Sequence, residues 1–147
     1  MAGVDGRGYT PGMTDRNDSA DPSMRVLVVE DSIDSAETLG ELIKRWGHEV
    51  RLAHDGASAL RVAREFRPEV ILLDIGLPDM DGYAVAHRLR GEDLGGNILV
   101  ALTGYGEAQD RARAQQAGFD RHLTKPVEPG HLRELFRGAG SPASGAA

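Results

Sequence analysis

Cysteine is absent from this chain of 147 residues, which excludes a disulfide framework, a thiolate nucleophile and any cysteine-ligated zinc. That suits a reducing compartment, and the chain reads as cytoplasmic. Basic charge is also in short supply: 17 Lys and Arg stand against 23 Asp and Glu, a formal net charge of -6 and a pI near 5.3. A surface built to neutralise nucleic-acid phosphates or to lie on an anionic membrane needs the opposite balance, so direct nucleic-acid contact is not expected. Long apolar runs are missing too. The longest, Val26 to Val29 and Val70 to Leu73, reach four or five residues, against roughly 20 for a bilayer span. The first residues lack the basic start and apolar stretch of a secretory signal, so export is not indicated.

What is present fits one domain. Residues 1–23 are rich in Gly, Asp, Ser and Thr with almost no apolar content, so a disordered N-terminal tail is expected. Met24 precedes the first apolar run and is an alternative start. Residues 138–147 read as a flexible C-terminal tail, with no second domain expected beyond them. Between the tails, over 24–137, short apolar runs alternate with amphipathic stretches, the pattern of repeated strand-helix units and a parallel sheet. Strands are predicted at 25–29, 49–53, 70–73, 97–102 and 121–123. The first, third and fourth are continuous Val, Ile and Leu runs, as central strands covered on both faces require. Ile33, Ala36, Leu39, Leu42, Ile43 and Trp46 recur at helical spacing. Further helices are predicted at about 57–66, 82–90, 107–117 and 129–137, with Gly47, Gly91 and Gly118 placed to stop them.

Polar residues gather at the C-terminal ends of the strands, where an open α/β sheet assembles its ligand site. Glu30 and Asp31 end the first strand, Asp74 the third and Thr103 the fourth, and Lys125 follows the fifth. Asp31 and Asp74 are about 43 positions apart, two strand-helix units, and the next two intervals are about 29 and 22, one unit each. Taken singly, each has a bland reading: Glu30 and Asp31 as solvated loop acids or a helix cap, Thr103 as a cap, Lys125 as a surface lysine. Together they make a chemical set. Three convergent carboxylates repel, and a hard divalent cation with oxygen ligands relieves them, magnesium fitting best. Phosphoryl transfer needs a nucleophile in line and positive or hydrogen-bonding groups around the three equatorial oxygens. Asp74 supplies an already ionised nucleophile, so no general base is required. The cation, the Lys125 ammonium and the Thr103 hydroxyl or a nearby N–H supply the rest.

The segments Val-Val-Glu30-Asp31-Ser, Leu-Leu-Asp74-Ile-Gly-Leu-Pro78-Asp-Met-Asp81-Gly82, Ala-Leu-Thr103-Gly and Leu-Thr-Lys125-Pro126 resemble the response-regulator receiver family over about residues 24–137. The resemblance implies a flavodoxin-like (βα)5 three-layer sandwich with a parallel sheet of order 2-1-3-4-5. It implies Asp74 as phosphoacceptor, and magnesium held by Asp31, Asp74 and the backbone carbonyl of Gly76, with Glu30 reaching it through water. It implies that Lys125 contacts the phosphoryl group and that the bond before Pro126 is cis. The implied donors are sensor histidine kinases or histidine phosphotransfer proteins, and the output is contact with a target protein. A monomer or weak dimer through the face of the fourth helix, fifth strand and fifth helix is implied as well. Thr103 and the residue three before the lysine form the family's switch. That residue is His122 here in place of the commoner Tyr or Phe, so the family's switch transfers only in part, and two readings of it stay open: a switch made sensitive to pH, and a partly exposed histidine at a strand end with no such role. Gly76 and Tyr105 occupy positions that influence hydrolysis of the acyl phosphate, and Gly104 and Gly106 flank Tyr105 in a loop suited to two states.

The competing readings are fewer. Arg111 and Arg113 follow Glu107 and Asp110 at helical spacing, which reads as a solvated helix with ion pairs. The five histidines, His48, His54, His87, His122 and His131, lack metal-ligand spacing, and surface positions are expected for most. A phosphohistidine carrier would be a helical bundle, which the strand pattern excludes. A magnesium-dependent phosphatase would want a second acid beside its nucleophile, where Ile75 and Gly76 stand instead. The chain is therefore read as no enzyme beyond turnover of its own phosphoryl group, and the alternative is a receiver-like interaction module that takes no phosphate.

Overall fold

The computed structural model describes residues 23–94, 98–104 and 115–139. Five parallel strands form one sheet, β1 (Arg25–Val29), β2 (Glu49–Ala53), β3 (Val70–Asp74), β4 (Ile98–Thr103) and β5 (Arg121–Thr124), in the order β2-β1-β3-β4-β5. The flavodoxin-like arrangement is thus present. Strand alternation divides the core in two. Leu27, Val29, Ile71, Leu73, Leu99 and Ala101 point to one face. Val26, Val28, Val70, Leu72, Val100 and Leu102 point to the other. Burial on both faces is why these strands carry unbroken aliphatic runs.

The crossovers are helical. Helix α1 (Ile33–Arg45) starts where Ser32 Oγ accepts from the Ser35 N–H at 3.3 Å, and Asp34 in its first turn and Lys44 and Arg45 in its last suit the helix dipole. Helix α2 (Gly56–Phe66) is capped by Asp55, which accepts from the Ser58 N–H at 2.8 Å, and helix α3 (Gly82–Gly91) by Asp81. Helix α4 (Pro129–Ala139) lays Leu132, Leu135 and Phe136 on the sheet beside Ile43 of α1. Of the helix expected over 107–117, residues 115–117 are described, and they are helical. The rest of it, the loop around Tyr105, Arg111 with Arg113, and nearly all of both expected tails lie outside the described residues.

Two expectations are corrected. Gly47 and Gly118 take the positive φ of helix stops, 97° and 106°, but Gly91 is still helical, and the left-handed residue after α3 is Asp93, at φ 60°. Asp is one of the few side chains that tolerate that conformation. Nor are most histidines on the surface: His48 is buried, His54 and His122 are half-buried, and only His87 and His131 are exposed. The His48 ring stacks on Phe136 at 4.9 Å while Nδ1 accepts from the Met24 N–H at 3.1 Å, so its polar atom is satisfied inside the core.

Candidate functional site

The site follows from register. Val28 pairs with Leu72 and Val29 with Leu73. One step beyond, Glu30 and Asp74 emerge side by side from strands about 4.8 Å apart. Glu30 is 2% exposed and Asp74 4%. The Glu30 N–H donates to the Ala53 carbonyl at 3.0 Å, extending the ladder and fixing the residue before α1 begins. With exposed Asp31, the two buried acids bring ligand oxygens within 4.8 Å of one another.

Lys125 enters from the end of β5, two strands from Asp74 on β3 and three from Glu30 after β1. Leu102 pairs with Leu123 and Thr103 with Thr124, and the Lys125 N–H donates to the Thr103 carbonyl at 2.7 Å. Two strand spacings are about 10 Å, a distance only a long side chain can cross. The ammonium donates to Asp74 Oδ2 at 3.0 Å and to Glu30 Oε1 at 3.2 Å. The Lys125–Pro126 bond is cis. The other Asp74 oxygen, Oδ1, accepts from the Gly76 N–H at 2.9 Å. Thr103 is buried, its hydroxyl 3.5 Å from the Leu123 carbonyl. His122 sits half-buried on β5 opposite Ala101. Tyr105 falls outside the described residues.

The electrostatics are asymmetric. Burial, followed by the hydrogen bond and charge of Asp74, pushes the Glu30 carboxyl up to about 7, against which Lys125 pulls only in part. Burial acts on Asp74 as well, but hydrogen bonds from Glu30, the Gly76 N–H and Lys125 outweigh it and hold that carboxyl below its usual range. Lys125 is held above its usual value because its bonds to Asp74 and Glu30 outweigh its partial burial. At neutral pH the arrangement is an ionised Asp74, a Glu30 poised to lose its proton, and one ammonium for three acids. Hard oxygen donors with surplus negative charge fit magnesium.

Three contacts at the site were not foreseen. His54 Nδ1 lies 3.0 Å from the Glu30 carbonyl oxygen. The Asp79 carboxylate accepts from the Gly56 and Ala57 N–H groups at 2.7 and 3.1 Å. Gly82 packs so closely that a Cβ there would lie 2.3 Å from Ile75 Cα and 2.9 Å from the Asp74 carbonyl oxygen. Asp79 and Gly82 stand in the segment around Asp74 whose wording carried the resemblance, whereas nothing in the local sequence marks His54. Beside the acids, a cleft of about 300 Å³ is lined by Glu30, Asp34, Ser35, Lys125, Pro126 and Val127.

Comparison with known proteins agrees with this geometry. The model of the response regulator receiver domain matches residues 26–137. The probable transcriptional regulatory protein TcrX of Mycobacterium tuberculosis is 42% identical over 119 residues, 78% of this chain and 50% of TcrX. The receiver domain of the sensor histidine kinase PA1611 from Pseudomonas aeruginosa, solved with a magnesium ion coordinated in its active-site cleft, has a TM-score of 0.72 at 31% identity, covering 82% of this chain and 100% of that one. The receiver domain of Ssk1 from Saccharomyces cerevisiae, solved with the histidine phosphotransfer protein Ypd1, is among the matched structures, with a TM-score of 0.76 at 27% identity over 83% of this chain and 92% of that one. The chain spans about half the length of the curated relatives it matches first. Because those relatives are named as transcriptional regulators, the exclusion of nucleic acid drawn from this chain's acidic charge does not carry over to them. Among the described residues, no helix is long and apolar enough to cross a membrane. A parallel sheet of order 2-1-3-4-5 with paired acids, a lysine and a threonine at its strand ends, matched over 112 positions by the family's own model, makes the chain a member of the response regulator receiver domain family of two-component signalling.

Proposed function

We propose that the domain over residues 24–137 accepts a phosphoryl group on Asp74 from a phosphohistidine donor in a magnesium-dependent step, and signals by phosphorylation-dependent contact with a partner protein. The observation that carries this is the buried, ionised Asp74 flanked by Glu30 and Lys125. An Asp74 oxygen attacks phosphorus, the P–N bond breaks, and its electron pair leaves with the donor imidazole, which regains a proton. Lys125 exchanges its bond to Asp74 for one to a phosphoryl oxygen, and Thr103 donates to another. Magnesium would be held by Asp31, Asp74 and the Gly76 carbonyl, with Glu30 reaching it through water, and would supply charge neutralisation for the transferring group. The acidic domain itself makes no nucleic-acid contact in this reading.

The donor protein docks over the start of α1. Ile33 is 56% exposed, the large hydrophobic residue left uncovered among those described, and it adjoins the acids through Ser32. An exposed apolar anchor beside a reactive cleft suits a partner surface. Ile33→Glu is expected to slow phosphoryl uptake from a histidine phosphotransfer protein at least about tenfold, the loss of one interface anchor, while uptake from acetyl phosphate stays within twofold. Equal slowing with both donors would place the defect in the chemistry and remove the docking role.

Proton and metal compete at Glu30. Its folded-state value near 7 lies above the ordinary 4.5, so the stability it contributes is full below 4.5 and is lost as pH rises through 7 in the metal-free chain. Magnesium binds the deprotonated form. Calorimetric titration is expected to show magnesium affinity falling between pH 8 and 6, approaching about one decade per pH unit below 7, as for loss of one proton. Glu30→Gln flattens that slope; a slope unchanged in the variant would assign the proton to another group.

A further inference from the structure

We infer that the segment His54 to Ala57, the turn after β2 and the first two residues of α2, is a bracket that positions both halves of the metal site: His54 holds the peptide joining Glu30 to Asp31, and the Gly56 and Ala57 N–H groups hold Asp79 in the loop that carries Gly76. The inference rests on the magnesium reading above and assigns positioning residues to it.

A carbonyl oxygen only accepts, so at 3.0 Å from the Glu30 oxygen His54 Nδ1 carries the hydrogen and donates. Glu30 is thereby held at both backbone groups, its N–H by Ala53 and its C=O by His54. The Ala53 bond fixes the peptide before Glu30, and the peptide plane after it, which sets the direction of exposed Asp31, can then turn only by breaking the His54 bond. On the other side, two N–H groups of the first turn of α2 converge on one carboxylate, a charge-assisted pair. Asp79 stands three residues beyond Gly76, and Met80 seals the joint: a Cβ on Gly56 would lie 2.8 Å from the Met80 sulfur. One short segment thus touches both strand-end segments that supply the ligands. Magnesium tolerates little departure from its preferred octahedron, so ordering Asp31 and the Gly76 carbonyl in advance removes a cost from binding.

The test measures magnesium dissociation constants by isothermal titration calorimetry on the full chain at pH 8, beside melting temperatures without metal. His54→Ala and Asp79→Ala are each expected to weaken magnesium about tenfold, as losses of outer partners of metal ligands do. His54→Asn, whose amide nitrogen sits where Nδ1 sits, is expected to bind within twofold of the native chain, and Asp79→Asn, keeping one acceptor oxygen, to fall between. The bracket is overturned if the alanine variants bind as the native chain does, or if His54→Asn is as weak as His54→Ala. A native chain that takes up no magnesium overturns the metal reading and the bracket together, an outcome distinct from either.

Discussion

Lys125→Met is expected to lower the rate of phosphoryl uptake at Asp74 by about 10²–10³, the usual consequence of removing one preorganised donor from a developing oxyanion. The lysine is the cation that the chain itself supplies to two buried acids, bonded to Asp74 at 3.0 Å and Glu30 at 3.2 Å. Methionine keeps the unbranched stem and much of the packing, and removes the terminal nitrogen with its charge and donors. Magnesium binding should not fall with the rate. Without metal the ammonium occupies the carboxylate oxygens, so its removal relieves a competitor while leaving more negative charge for the metal to meet. Because Lys125 also draws the Glu30 carboxyl down, the comparison is made well above pH 7, where Glu30 is ionised with or without it, and the expected signature is a split: magnesium affinity equal or higher by calorimetry, and phosphoryl uptake from acetyl phosphate nearly lost in the same preparation. Affinity and rate falling together would mean that Lys125 organises the pocket rather than the transferring group.

Gly82→Ala is expected to cost about 1–3 kcal/mol, the range for overpacking a filled interior. By helix propensity alone the change would stabilise, by about 1 kcal/mol at most, because Gly82 opens α3. Close approach decides the sign. The new methyl would stand 2.3 Å from Ile75 Cα and 2.9 Å from the Asp74 carbonyl oxygen. Both are backbone atoms that no rotamer change can move aside, and the Gly82 N–H already donates to the Ile75 carbonyl at 3.1 Å. The displacement therefore falls on the peptide of Asp74 itself. Thermal unfolding should show a melting temperature lower by several degrees, with a reduced rate of phosphoryl uptake at temperatures where the variant is folded. Gly91→Ala is the control at the other end of the same helix: its Cβ meets nothing within 4 Å, so stability is expected to hold or rise. Equal effects at the two positions would refute the packing argument.

The strands and the acids at their ends were legible because both are local signals. Unbroken runs such as Val-Ile-Leu-Leu before Asp74 announce a strand covered on both faces, and a carboxylate directly after it has one place to go. The supporting shell was not legible, because it depends on which loops the register brings together. The bond from His54 to Glu30 joins residues 24 apart, and Asp79 reaches Gly56 across 23. Neither pair shares a period or a motif. His48 was misread for a related reason: histidine is read as a surface residue by default, and only the meeting of β1, β2 and α4 provides the Met24 N–H and the Phe136 ring that make its burial tolerable. Gly91 and Asp93 show the limit of punctuation. Glycine is the usual left-handed stop, but the chain reversed two residues later at an aspartate.

The central claim is that Asp74 takes a phosphoryl group with magnesium bound beside it. The measurement that tests it most directly is the intact mass of the native chain and of Asp74→Asn after incubation with magnesium and acetyl phosphate. One added phosphoryl group on the native chain, absent from the variant and from a sample stripped of magnesium by chelator, is the predicted result. A folded, magnesium-binding native chain that gains no mass would contradict the account and leave a receiver fold that acts by contact without phosphate.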